Sequence, residues 1–253
     1  MSTNLYKKNY LKNVIFRLDF VITGKNLDNI MDKSTIDIIK NNFKHFEPVK
    51  PVKNTNIQFD VATQQTQIHN EEITSFVFHK LDGSATLTIT PNCLIIDYRQ
   101  YSEVKTLKDD VKMLDCIIPK ISINRTGLRY VNYIDKKEFG EIDWSKYIKD
   151  ELLCSKDINT DERSKLLQTI TVADYKYPNC FLKFQYGIHN QNFPGDCVKD
   201  AYILDFDASS NEINSEKEMI DTIQSWNDII RTFFEDVIKD ELKGVLNEKS
   251  ELQ

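Results

Sequence analysis

The chain is poor in glycine, with seven glycines scattered among 253 residues. Phosphate-binding loops need clustered glycines, because their backbone must approach the phosphate closely. Neither G-x-x-x-x-G-K-[ST] nor G-x-G-x-x-G occurs, and the nucleophile motif G-x-S-x-G is absent as well. The sequence therefore contains no motif for a P-loop, a dinucleotide-binding domain or an α/β-hydrolase.

Histidine and cysteine are also scarce, with four and five residues. The histidines stand apart, in neither H-x-x-x-H nor H-E-x-x-H spacing, so no zinc motif is indicated. The cysteines are odd in number and form no C-x-x-C, which favours reduced thiols in a cytoplasmic protein. We therefore predict no catalytic residue, no cofactor and no metal ion from a motif.

Long apolar runs are missing. No window reaches the length that a membrane-spanning helix needs. The N-terminus, M-S-T-N-L-Y-K-K-N-Y, lacks the apolar core of a signal peptide. These absences predict a cytoplasmic protein without a membrane partner. Hydrophobic residues still make up 40% of the chain and aromatic residues 11%, which is enough for a packed core.

The net charge of −6 is divided unevenly along the chain. Residues 1–140 carry 20 basic and 16 acidic side chains, whereas residues 141–253 carry 13 and 23, which gives +4 and −10. These counts indicate no concentrated basic face, so binding of bulk nucleic acid is not expected. The acidic second half either attracts the basic first half or presents an acidic surface to another protein.

The most informative stretch runs from Ile117 to Asp135, I-I-P-K-I-S-I-N-R-T-G-L-R-Y-V-N-Y-I-D, and predicts a long inner strand. Alternate residues share a face of a strand, so Arg125, Gly127 and Arg129 lie on one face and Tyr130 lies on the other. A glycine in the middle of a strand indicates a bulge or a close approach to the backbone. A bulge would put the two arginines on opposite faces.

Two interpretations of the arginines compete. In the first, Arg125 and Arg129 bind an anion such as a nucleotide or an RNA end, with Tyr130 stacking on a base. In the second, each arginine pairs with an aspartate of a neighbouring strand, which is the commoner situation.

Asp205 and Asp207, in I-L-D-F-D-A, project to one face of another predicted strand. Such a pair can hold a divalent ion for phosphoryl chemistry, and Asp97 of a further strand could join it. We favour an ion-pair network in which these aspartates neutralise Arg125 and Arg129, because one network then explains both features.

The hydrophobic periodicity predicts an α+β fold, with mostly antiparallel sheet, helices packed on one face and a long C-terminal helix. Asp82-Gly83 indicates a two-residue hairpin turn. Besides the inner strand, strands are expected at 13–23, 73–80, 84–90, 93–99, 166–173, 180–188 and 201–207. Helices are expected from Ser34 or Thr35, from Ser102, from Asp143 and, as one continuous helix ending beyond Leu242, from about Glu216. The chain is one globular unit, 1–253, or two lobes of similar size, 1–137 and 138–253.

Three segments carry a family resemblance: Y-R-Q-Y-S-E-V at 98–104, I-N-R-T-G-L-R-Y-V-N at 123–132 within the strand that opens at Ile121, and W-N-D-I-I-R-T-F-F-E-D-V-I-K-D-E-L at 226–242. They resemble a sporadically distributed bacterial family of uncharacterised proteins of about this length. No activity or site residue comes with the resemblance. Scattered occurrence implies an accessory gene, such as one in a phage-defence or toxin-immunity locus.

The function expected first is a non-enzymatic protein-interaction module, an accessory factor whose partner is another protein. The alternative is a nucleotide- or RNA-end-binding module that uses Arg125 and Arg129. The third is a metal-dependent phosphoryl enzyme that uses Asp205 and Asp207. A homodimer through a sheet edge or the terminal helix is compatible with the sequence.

Overall fold

A computed structural model describes residues 6, 9–22, 33–48, 52–60, 65–116, 121–135, 143–153, 166–195, 201–212 and 215–247. The strands within these ranges are β1 Leu11–Ile22, β2 Phe46–Pro48, β3 Val52–Asp60, β4 Gln65–Lys80, β5 Ala85–Ile89, β6 Cys93–Tyr98, β7 Ile121–Asp135, β8 Thr169–Tyr177, β9 Cys180–His189 and β10 Ala201–Ser210. The α-helices are α1 Lys33–Asn42, α2 Val104–Lys112, α3 Glu216–Val237 and α4 Asp240–Asn247. The predicted opening of the inner strand at 117–120 lies outside the described residues.

The described strands pair in the order β2-β4-β5-β6-β1-β7-β10-β9-β8, and β3 pairs with β4 off this path. The pairings β2–β4, β3–β4, β4–β5, β5–β6 and β8–β9 are antiparallel. A largely antiparallel sheet combined with helices confirms the predicted α+β class. None of the described helices is long and apolar enough to cross a membrane.

Strands β4, β5 and β6 pair one after another as an antiparallel meander, but the first hairpin connection is longer than the predicted two-residue turn. β4 ends at Lys80 and β5 begins at Ala85, so four residues connect them. The Asp82 carboxylate closes this wider turn by accepting hydrogen bonds from the backbone N–H and the hydroxyl of Ser84, at 2.9 and 2.6 Å. A side-chain turn of this kind competes with the tighter primed turn.

The chain folds into two compact units that are interleaved in sequence. We call Met1–Val14, Arg129–Ala208 and Ser225–Gln253 the terminal unit, and Ile15–Leu128 and Ser209–Gln224 the central unit. Their boundaries fall inside β1, β7, β10 and α3. A division into lobes 1–137 and 138–253 stays a prediction.

In the central unit, α2 packs through its apolar stripe, and Leu107 and Val111 are buried as their spacing predicts. The predicted cap at Ser102 is wrong by one residue. The N-cap is Glu103, in an extended conformation and without a capping hydrogen bond from its side chain. The helix is therefore anchored by its buried face and not by its first turn.

In the terminal unit, α3 covers the face of β9 and β10 that carries large aromatic residues. The Phe233 ring lies 4.9 Å from the ring of Phe184 and 5.6 Å from that of Phe206, and Trp226 is fully buried. The helix begins where predicted, because the N–H of Glu218 donates to the hydroxyl of Ser215 at 3.2 Å.

The predicted continuous C-terminal helix is interrupted between α3 and α4. At the break, the N–H of Lys149 donates to the carbonyl of Val237 at 3.0 Å, and the N–H of Lys239 donates to that of Tyr147 at 2.8 Å. Ile238 and its bridge partner Ile148 are both buried. Pairing with a distant segment thus replaces the helical hydrogen bonds at this point.

Candidate functional site

Arg125 lies flat on its own strand. A Cβ added to Gly127 would stand 3.1 and 3.3 Å from the two terminal nitrogens of the Arg125 guanidinium. Nη1 of Arg125 lies 3.5 Å from Oδ2 of Asp19 in β1, and Nη2 of Arg17 lies 2.7 Å from Oδ1 of the same carboxylate. The close approach expected at Gly127 is therefore made by an arginine side chain two residues away.

Gly127→Ala is expected to displace the Arg125 guanidinium by a few tenths of an ångström while leaving the free energy of unfolding within about 1 kcal/mol of the wild type. The crowded atoms end a flexible side chain, so they can move. Gly187→Ala is the matched control in β9, where φ is +140° and the new Cβ would overlap the backbone carbonyl of Thr169. We expect Gly187→Ala to cost about 2 kcal/mol or more in urea unfolding. Equal effects of the two variants would contradict this account.

Arg129 turns to the strand on the other side of β7. Its Nε and Nη2 donate to the two carboxylate oxygens of Asp205 in β10, at 2.8 and 2.5 Å. Asp205 is 4% exposed, whereas the Arg129 side chain is 42% exposed. The hydrogen bond to Asp205 is the main cause that raises the pKa of the guanidinium, and the negative charge of Asp207 adds to it. This is the geometry that the ion-pair interpretation predicts.

Tyr130 lies on the opposite face of β7 from Arg129. It is buried, and its hydroxyl donates to Oδ1 of Asn227 in α3 at 2.9 Å. Its ring therefore packs under the helix and does not stand beside the guanidinium groups. Assignment of Arg125, Arg129 and Tyr130 as binding residues stays a prediction.

The candidate metal ligands are placed differently. Both carboxylate oxygens of Asp205 accept hydrogen bonds from Arg129, while Asp207 is half-buried further along the same face of β10 and Asp97 belongs to β6. Within the described ranges, no group of three or more His, Cys, Asp or Glu side chains is arranged to hold a metal ion.

The described cysteines Cys93, Cys116 and Cys180 are free thiols, as expected, and Cys154 and Cys197 lie outside the described residues. Burial raises the pKa of the Cys180 thiol. A buried thiol with a raised pKa is a poor nucleophile, because the thiolate is the reactive form.

Sequence reasoning missed a polar cluster in the central unit, centred on Asp110 of α2. This carboxylate is 2% exposed and accepts a hydrogen bond from the Tyr98 hydroxyl at 2.6 Å. Nζ of Lys80 donates to it at 3.0 Å, and Nε2 of His45 lies 3.0 Å from its other oxygen. The Lys80 ammonium also lies 5.7 Å from the centre of the Phe46 ring. The cluster joins the ends of β4 and β6 to α2 through charge-assisted hydrogen bonds.

Exposed apolar side chains concentrate in and next to the β8–β9 hairpin of the terminal unit. Eight large hydrophobic residues are exposed in the part of the chain that the structure describes, and six of them lie between positions 166 and 193. The six are Leu166, Ile170, Val172, Tyr175, Phe181 and Phe193. Concentration of this kind is unusual for a free surface, where exposed apolar residues are normally scattered.

The β8–β9 register places several of these residues on one side. Ile170, Val172, Asp174 and Lys176 stand opposite Gly187, Gln185, Lys183 and Phe181, respectively. We call the side formed by these residues the β8–β9 outer face. Ile170 and Val172 lie at one end of this face, and Phe181 lies at the other. Between the two ends, the Asp174 carboxylate and the Lys183 ammonium form an ion pair at 3.4 Å. The other side of the hairpin carries Leu182 and Phe184, which are buried.

Three features therefore stand out: the arginine pairs, the Asp110 cluster and the β8–β9 outer face. The charged groups of the first two contact one another within the fold, whereas the apolar groups of the third face outwards. Comparison with known proteins adds no identification, because neither a family model nor a curated protein matches the chain.

Proposed function

We propose that the chain is a protein-interaction module and that the β8–β9 outer face is its contact surface. The observation that carries the proposal is the exposure of Val172 and Phe181, at 50% and 58%, on one side of one hairpin. Exposed apolar side chains that are grouped on one face favour association, because water is released when they are covered.

The dimensions of the β8–β9 outer face fit a protein segment. From Ile170 to Lys176 the strand extends roughly 20 Å. Apolar groups at both ends enclose the Asp174–Lys183 pair, so the face combines an apolar contact area with a polar centre. A typical protein interface has an apolar centre and a polar rim, so the two apolar ends of this face form separate contact areas on either side of an ion pair.

The arginine pairs support the proposal indirectly. Arg125 and Arg129 each contact a carboxylate of the same fold, so an anionic ligand would have to compete with Asp19 and Asp205. Displacing a hydrogen-bonded carboxylate that is buried, as Asp205 is, has a large cost. A protein partner at the β8–β9 outer face meets no such competition.

Val172→Lys is expected to weaken binding of the natural partner by at least about tenfold, because it removes apolar contact area and buries an ammonium group. The matched control is Val21→Lys in β1, since Val21 is 51% exposed and Val172 is 50% exposed. The measurement is quantitative affinity purification from the source cells with wild type and both variants, followed by titration of the purified partner.

The proposal requires a partner that Val172→Lys loses and Val21→Lys keeps. If the partner binds both variants equally, its contact surface lies elsewhere on the protein. Equal thermal unfolding midpoints for the two variants exclude loss of folding as the cause of the difference.

A further inference from the structure

Among the strands that the structure describes, β8 is an edge strand with one side left unpaired. It stands at one end of the strand order, and β9 is the one described strand that pairs with it. Its first five residues, T-I-T-V-A from Thr169 to Ala173, carry neither charge nor proline. By contrast β2, at the other end of the order, is three residues long and ends in Pro48. Short edges, prolines and charges normally prevent unwanted pairing, so the first five residues of β8 lack this protection, whereas Asp174 and Lys176 bring charge to its second half.

The position of Gly187 shows which backbone groups of β8 face the free side. A Cβ on Gly187 would overlap the carbonyl oxygen of Thr169, so that carbonyl points towards β9. Backbone groups alternate in direction along an antiparallel strand. The N–H and C=O of Ile170, Val172 and Asp174 therefore point away from β9, and no described residue hydrogen-bonds to them.

We propose that the partner adds an extended strand to the free edge of β8, an inference that rests on the proposed contact surface. Main-chain hydrogen bonds to Ile170 and Val172 supply the pairing, and side chains at alternate positions supply selectivity. The same residues that direct their backbone groups to the free edge carry the apolar side chains of the β8–β9 outer face. One added strand would therefore pair with these backbone groups and also contact the apolar side chains.

The charges define the chemistry of the added strand. Asp174 is paired with Lys183, but the Lys176 ammonium has no carboxylate within 4.0 Å among the described residues and lies 5.9 Å from the centre of the Phe181 ring. An acidic residue opposite Lys176 would complement this charge. The partner segment therefore carries apolar residues opposite Ile170 and Val172 and an acidic residue opposite Lys176.

The test uses a synthetic peptide, E-T-K-T-V-T-V, which in antiparallel pairing sets glutamate opposite Lys176 and valines opposite Val172 and Ile170. Binding is followed by fluorescence anisotropy and by hydrogen exchange of the backbone amides in β8. We expect saturable binding and slower exchange at Ile170 and Val172. Lys176→Glu should weaken binding by about tenfold, and the peptide K-T-K-T-V-T-V should restore it.

Val172→Pro separates strand addition from side-chain contact. The N–H of Val172 faces the free edge, so proline there removes a bond to the added strand and leaves the bonds to β9 intact. Binding of the peptide should be lost while the fold is kept. Thr171→Pro is the control, since its N–H points towards β9, and this variant should unfold the hairpin.

The outcomes distinguish this inference from the proposed contact surface. If the natural partner is lost with Val172→Lys but binds Val172→Pro normally, and the peptide does not bind, strand addition is wrong and the contact surface stands. If Val172→Lys also binds the natural partner normally, both fail. Peptide binding that is insensitive to Val172→Pro and Lys176→Glu overturns the inference as well.

Discussion

Asp110→Ala is expected to lower the free energy of unfolding by about 3–5 kcal/mol, the cost of removing one partner from a buried charge pair. The carboxylate accepts hydrogen bonds from Lys80 and Tyr98, and its removal leaves both donors without their acceptor. The Lys80 side chain is largely buried, so water cannot fully replace the lost contact. Tyr98 is buried as well, and its hydroxyl would lose its short hydrogen bond.

The neighbouring residue provides the control. Asp109 precedes Asp110 on α2, is half exposed and pairs with Lys112, which is also exposed. Asp109→Ala should therefore change the free energy of unfolding by less than about 1 kcal/mol. Hydrogen exchange measured across β4 to α2 reports directly on the elements around Asp110, whereas Trp144 and Trp226 both belong to the terminal unit.

A compensating substitution tests the cause. If Asp110→Ala destabilises by leaving Lys80 charged and unpaired, then Asp110→Leu combined with Lys80→Met should recover part of the loss, since apolar residues of similar size often replace a buried ion pair at little cost. Equal exchange rates in Asp110→Ala and Asp109→Ala would contradict the account. The account would also be contradicted if the double variant lost more free energy of unfolding than the two single substitutions lose when added together.

The sequence predicts the elements well because their signals are local. Alternation along β7 alone places Arg129 and Tyr130 on opposite faces. Apolar spacing on α2 predicts the burial of Leu107 and Val111. The break between α3 and α4 has no such signal, because the apolar stripe continues through Val237 and the cause is pairing with a segment some ninety positions earlier.

For the candidate sites too, local features could be predicted from the sequence, whereas features that depend on the tertiary fold could not. That aspartates would neutralise the arginines could be predicted from strand alternation and charge, but the partners depend on strand order, which sets β1 and β10 on the two sides of β7. His45, Lys80 and Asp110 are too far apart in sequence for any motif to join them. Exposure of Val172 could not be predicted, since an edge strand and a central strand have the same apolar alternation.

Arg129→Ala is expected to lower the free energy of unfolding by about 2 kcal/mol, less than for a fully buried pair because the Arg129 side chain is 42% exposed. The loss arises mainly at Asp205, which is buried and would keep its negative charge without the bidentate partner. Tryptophan fluorescence during urea unfolding measures this loss, since Trp226 is buried in the same unit.

The two single substitutions of the Arg129–Asp205 pair should have unequal effects on the free energy of unfolding. Asp205→Ala leaves a guanidinium that is already partly hydrated, so it should cost less than Arg129→Ala. The double variant should cost less than the two single changes together, because the second substitution removes the group that the first leaves unpaired. Arg125→Ala supplies the control from the same strand: Asp19 is partly exposed and keeps its contact with Arg17 at 2.7 Å. Its effect should stay below about 1 kcal/mol. Additive single effects, or equal losses for Arg125→Ala and Arg129→Ala, would contradict a structural role for the Arg129–Asp205 pair.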